Sequence, residues 1–208
     1  MLRAITILLA LLSSLEVRAA PLTTHDINVH LDPKSGAIEL TDKITVEKKL
    51  EFHFRLASWL RMTTVRLDEK SVVPSRTPHG WRVVLPNDAV HSLHFDITGK
   101  IPPFPNRPMR GMTGDARAGA AGVFLPGYAA WVPDSGESQI SYRVQAHVPE
   151  PYRIVGTGRS EGKETFSAAQ AVELPSLFAG PYEVTVRRRG GLRIRTYFHK
   201  GLEGFVED

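Results

Sequence analysis

The segment HDINVHLDPKSGAIELTDKITV, residues 25 to 46, decides the fold class. Ile27, Val29 and Leu31 alternate with Asp26, Asn28 and His30, and a period of two marks a strand that buries one face. Asp32-Pro33-Lys34-Ser35-Gly36 then supplies a turn, since proline presets φ and glycine takes conformations closed to other residues. Ile38, Leu40, Ile44 and Val46 carry the alternation into a second, longer strand. The segment therefore predicts a β-hairpin.

The same beat spreads outward along the chain. Leu50, Phe52, Phe54 and Leu56 share one face opposite Glu51, His53 and Arg55. Further strands are expected at Thr64–Leu67, Trp81–Leu85, Leu93–Ile97, Ile140–Val148, Tyr182–Arg187 and Leu192–Phe198. Helical spacing occurs only at Ala168–Leu174 and near Leu202. With 42% hydrophobic and 23% charged residues in 208, the chain can bury a core of useful size. Short strands separated by Gly, Pro and Asp turns predict an all-β fold, an antiparallel two-sheet β-sandwich of saddle-like shape over residues 20–208. One interval breaks the pattern. Gly99 to Gly122 holds Pro102, Pro103, Pro105 and Pro108 without alternation, and connections of that length are usually functional or mobile.

The first nineteen residues read as an export signal. Arg3 gives the positive start, Ala4 to Leu15 the apolar stretch, and Val17-Arg18-Ala19 the cleavage site. About 12 apolar residues fall short of the ~20 that span a bilayer as a helix, so cleavage before Ala20, an exported periplasmic or extracellular location, and no stable membrane span afterwards are expected. Removing residues 1–19 takes Arg3, Arg18 and Glu16, which leaves 24 basic and 21 acidic residues, net +3. That balance demands no anionic partner. The chain has no cysteine, so folding rests on core burial without disulfides.

Residues that would carry chemistry are not grouped in the sequence. No histidine is followed by glutamate, so the His-Glu-x-x-His zinc helix is missing. His91 and His94, three apart on an alternating stretch, are expected on opposite strand faces. No Gly-x-Ser-x-Gly elbow or phosphate-binding glycine loop occurs. Arg187-Arg188-Arg189-Gly190-Gly191-Leu192-Arg193-Ile194-Arg195 resembles a nucleic-acid patch by charge. Its flanking alternation and Gly190-Gly191 instead predict a solvated hairpin tip, and no nucleic-acid partner is expected.

Read in order, these segments resemble the N-terminal β-domain of the zinc aminopeptidase (gluzincin) family that includes aminopeptidase N and leukotriene hydrolase. His25–Val46 is similar to that family's first hairpin with its D-P-x-x-G turn. GVFLPGYAAWVPD, from Gly122, and ISYRVQAHVPEPYRIVGTG, from Ile140, resemble its aromatic-proline segment and the strand, P-x-x-Y turn and strand that follow. LFAGPYEVTVRRRGGLRIRTYFHKGLEGFVED, from Leu177, resembles the approach to the catalytic domain, with its A-G-P-Y turn and R-x-Y strand.

The resemblance implies a noncatalytic N-terminal domain, or fragment, of an exported zinc metallopeptidase. It would pack on a thermolysin-like catalytic domain, in cis or in trans, and form part of the wall of a peptide-substrate cleft. Zinc is then expected only in that other domain, with no cofactor in this chain and no peptidase activity from it alone. In the family a Gln or Glu of the aromatic segment takes the substrate's free amine; Val123, Phe124 and Leu125 fill the matching positions here. Phe124, Leu125, Tyr128 and Trp131 are the candidate cleft or interdomain surface, unless they fill the domain's own core. The alternative function is a stand-alone exported β-sandwich for binding or adhesion, which requires an exposed Trp131.

Overall fold

A computed structural model describes residues 23–105, 115–162 and 164–205. The signal segment and residues 106–114 of the proline-rich interval lie outside the described residues. Seventeen strands are described. The first eight are β1 (Thr23–Asp32), β2 (Ala37–Val46), β3 (Glu51–Phe54), β4 (Leu60–Leu67), β5 (Lys70–Ser71), β6 (Ser75–Thr77), β7 (Gly80–Val84) and β8 (His91–Lys100). They are followed by β9 (Arg117–Gly119), β10 (Gly122–Leu125), β11 (Ile140–His147), β12 (Arg153–Gly156), β13 (Arg159–Gly162) and β14 (Thr165–Ala171). The last three are β15 (Leu177–Gly180), β16 (Tyr182–Arg189) and β17 (Leu192–His199). Among the described residues only two short 3-10 turns, Gly127–Ala129 and Glu203–Phe205, are helical.

The decisive hairpin forms as its sequence predicts. Asp32 accepts hydrogen bonds from the Lys34 amide at 3.1 Å and the Ser35 hydroxyl at 2.6 Å. Gly36 takes φ +75°, and a Cβ there would stand 2.8 Å from the Ile101 carbonyl oxygen. The two strands are of equal length, ten residues each, rather than the second being longer. Ile27, Val29, Leu31, Ile38, Leu40, Ile44 and Val46 all point inward and are buried, as the period of two requires.

The chain is all-β, arranged as an eight-stranded sheet in the order β13-β14-β11-β1-β2-β8-β4-β5, a four-stranded sheet β12-β15-β10-β9, a three-stranded sheet β3-β7-β6 and the hairpin β16-β17. The inner face of the large sheet meets the smaller sheets across one core, where the Phe54 and Phe95 rings cross edge to face at 5.2 Å. Among the described strands the pairings are antiparallel except that β1 runs parallel to β11, from Thr23 beside Ile140 to His30 beside His147, and an isolated parallel bridge joins Pro103 to Ala118. Periodicity reports which face a residue takes but not which way a strand runs. The long excursion between β1 and β11 leaves room for the crossover that parallel pairing needs.

Two local expectations are corrected. Ala168–Leu174 contains no helix; β14 runs through Ala171, where pairing with β11 outweighs the helix propensity of its alanines. Leu50 does not share the buried face of Phe52 and Phe54 but is 62% exposed, because the strand begins only at Glu51. The proline-rich interval is stitched at its ends, the Ala118 amide donating to the Pro102 carbonyl at 2.9 Å.

Candidate functional site

The aromatic segment begins on β10, between β9 and β15. Phe124 lies opposite Arg117 on one side and Phe178 on the other. The two phenyl rings are 5.5 Å apart on the half-buried face of the small sheet, while Val123 and Leu125 point to the interior. Pro126 then leads into the turn Gly127–Ala129, which closes on Ala130 in the left-handed region at φ 49°. The turn is tightly held. The Gly127 amide donates to the Ser176 hydroxyl at 2.9 Å, and a Cβ on Gly127 would come within 2.0 Å of the Leu174 carbonyl oxygen.

The turn decides what each aromatic residue does. Trp131 has no exposed surface, and its indole N–H donates to the Pro175 carbonyl at 2.8 Å. Leu125 is equally enclosed. Tyr128 is 56% exposed and overhangs a cleft of about 340 Å³. Thus Leu125 and Trp131 face this domain's own interior, Phe124 is half-covered, and Tyr128 alone of the four projects freely. The exposed Trp131 that a stand-alone adhesion surface requires is not found.

The cleft beneath Tyr128 is lined by Asp134, Glu137, Glu173 and Val172. Two of its carboxylates are engaged. Asp134 pairs with Arg55, and an isolated antiparallel bridge also joins their backbones by bonds of 2.8 and 2.9 Å. Glu137 accepts from Lys49 and from the Thr23 hydroxyl. Burial pushes the Glu137 carboxyl up, yet the bonds from Lys49, Thr23 and Ser135 outweigh it and hold the group below its ordinary range. Such a cleft can bind polar groups.

The histidines are dispersed. His91 and His94 take opposite faces of β8, as their spacing predicts. His91 bonds Asp68 at 2.7 Å, His94 bonds Asp96 at 3.1 Å, and His30 stacks on His147 with ring centroids 4.4 Å apart. Among the described residues no three His, Asp or Glu side chains converge as metal ligands. His25 is wholly buried against Asp42, a pair that the sequence signalled by placing both on the apolar phase of their strands.

By sequence, no family model and no curated protein matches the chain. By structure, it superposes on an M1 zinc metallopeptidase from Deinococcus radiodurans with a TM-score of 0.62 at 16% identity, covering 86% of this chain and 48% of that one. A two-domain M1 zinc metallopeptidase mutant bound to L-tryptophan gives 0.64 at 15% identity with the same coverage. An aminopeptidase N family protein from Idiomarina loihiensis gives 0.54 at 10% identity over 83% of this chain and 32% of that one. The chain has the fold of one part of an M1 zinc metallopeptidase. It spans about half the length of the M1 structures from Deinococcus radiodurans that it matches. Within this M1-like β-domain the aromatic segment contributes mainly to the core, and Tyr128 with its cleft is the part left accessible.

Proposed function

We propose that this chain serves as the noncatalytic N-terminal β-domain of an exported zinc metallopeptidase of the aminopeptidase N-like family. It packs against a thermolysin-like catalytic domain and supplies part of the wall of a peptide-substrate cleft. The observation that carries the reading is the lopsided match, most of this chain against about half of a two-domain M1 peptidase. On this reading zinc, and the bond-breaking chemistry it supplies, belong to the neighbouring domain, while this domain's own residues bind and orient. Of Val123, Phe124 and Leu125, which stand where the family's amine-binding Gln or Glu would, only Phe124 keeps exposed surface, so the wall offers a phenyl contact rather than a charge-assisted bond to a free amino terminus.

The test has two parts. The DNA beyond the codon for Asp208, or a neighbouring gene, is expected to encode a His-Glu-x-x-His domain that co-purifies with this chain. The purified chain alone is expected to release no product from aminoacyl p-nitroanilides. Chelator-sensitive hydrolysis by the chain alone would overturn the reading.

A further inference from the structure

Strand alternation places a pair of histidines on the outside of the large sheet. Val29 and Leu31 are buried, so His30 between them points outward; Ala146 is buried, so His147 at the end of β11 does the same. The parallel register of β1 and β11 sets the two side by side, on neighbouring strands about 4.8 Å apart. Their rings lie 4.4 Å apart with planes inclined by 16°. Neither imidazole has a hydrogen bond or ion pair to a described residue, whereas His25, His53, His91 and His94 each bond a carboxylate. The ring nitrogens of His30 and His147 are thus open to a ligand from outside.

The surroundings favour a cation. A hollow of about 480 Å³ borders both rings, and Asp32 and Glu39 line it with no lysine or arginine among its described residues. Glu39 stands opposite His30 in the β1-β2 pairing, on the same outer face, and its carboxylate has no partner among the described residues. Asp32 is occupied by the turn, where the Lys34 amide and the Ser35 hydroxyl bond it. Lys34 in that turn, and Lys100 paired with Ala37, do not line the hollow.

Neutral imidazole is a ligand for transition-metal ions, and a second imidazole within reach turns one weak bond into a chelate. Such nitrogens sit about 2.0–2.1 Å from the metal, so two nearly parallel rings 4.4 Å apart share one ion after a small tilt toward each other. No third side chain converges on the pair among the described residues, which leaves the remaining positions to water. Of the first-row divalent ions copper(II) binds nitrogen most tightly, and it takes a tetragonal set of nitrogen and oxygen ligands.

We propose that His30 and His147 chelate a copper(II) ion on the outer face of the large sheet, with water completing its coordination and Glu39 balancing its charge. The site shares no residue with the Tyr128 cleft and does not rest on the peptidase reading.

The probe is copper(II) chloride, titrated into the full chain and followed by calorimetry and electron paramagnetic resonance. A single tight site is expected, with the hyperfine pattern of two coordinated nitrogens. In 15N spectra of the unaltered protein the amide signals of His30 and His147 should be the first lost to paramagnetic broadening. His30→Ala and His147→Ala should each weaken binding at least about tenfold, since even the outer partners of metal ligands are worth that much. The double variant should lose little more, because one ring alone forms no chelate. His53→Ala, which removes an exposed imidazole elsewhere, should change binding little. A one-nitrogen spectrum, broadening centred on other histidines or on the amino terminus, or a loss from only one of the two single variants would overturn the proposal. The spectra of the unaltered protein decide the matter even if a variant fails to fold.

Discussion

His25 Nδ1 donates to Asp42 Oδ2 at 2.8 Å across the β1-β2 hairpin, with both side chains wholly buried. His25 lies two residues before Ile27, which is registered with Asp42, so the pair is diagonal on one face of the sheet. The second atom of each, His25 Nε2 and Asp42 Oδ1, has no partner among the described residues. Taking polar groups out of water is costly, and each is compensated here only by the other.

Breaking the pair from one side should therefore be severe. His25→Ala or Asp42→Ala leaves an uncompensated polar group at the centre of the large sheet, a loss of about 3–5 kcal/mol. Replacing both with leucine should cost less than either single change. Urea unfolding of the three variants checks this, and a double variant weaker than both singles would contradict it.

Trp131 gives a second stability test. Its indole fills the core and satisfies the Pro175 carbonyl. Trp131→Ala should lose about 3–5 kcal/mol through the cavity it leaves, and Trp131→Phe less, since only the polar contact and part of the volume go. Trp59 and Trp81 are only partly buried, so Trp131→Phe should also remove the component of the fluorescence least accessible to iodide. Unchanged quenching would show that Trp131 is not the enclosed indole.

Acid should weaken the fold through identifiable carboxylates. The Ser92 amide, at 2.9 Å, and His91, at 2.7 Å, hold the Asp68 carboxyl below its ordinary value of 3.8. Burial raises the Glu137 carboxyl, but bonds from Lys49 and Thr23 carry it below 4.5 all the same. A carboxyl whose folded pKa lies below its unfolded one contributes stability above the unfolded value and loses it as pH falls toward the folded one. The urea midpoint should drop as pH passes below 4.5 and then 3.8. Asp68→Asn together with Glu137→Gln should shrink that drop, and an unaltered acid profile in the double variant would refute the assignment.

Much of the sheet was legible because its signal is local. The alternation of Ile27, Val29 and Leu31, the turn closed by Gly36, and the hairpin tip where Gly190 and Gly191 take φ +55° and +81° depend on nearby residues alone. What could not be read arises between distant segments. The parallel pairing of β1 with β11 and the pairing of β15 with β10 and β12 exist only through partners far along the chain. The same applies to the aromatic segment. Composition announced Phe124, Tyr128 and Trp131, but a single turn, set by Gly127 against Leu174, sends the indole inward and the phenol outward.

That turn supplies the last prediction. Gly127→Ala would place a methyl 2.0 Å from the Leu174 carbonyl oxygen, a backbone contact that no side-chain rotation relieves. The loop bearing Leu174, between β14 and β15, or the turn itself must move, and overpacking of this kind costs about 1–3 kcal/mol. The displacement would also strain the bond from the Gly127 amide to Ser176 and loosen the carbonyl that receives the Trp131 indole. Gly136→Ala serves as the comparison: its φ of +69° imposes backbone strain, but no atom lies within 4 Å of the added methyl. Gly127→Ala should therefore lower the melting temperature and expose Trp131 to iodide, whereas Gly136→Ala should lower the melting temperature alone. Equal quenching in the two variants would show that close packing at Gly127 does not hold the indole in place.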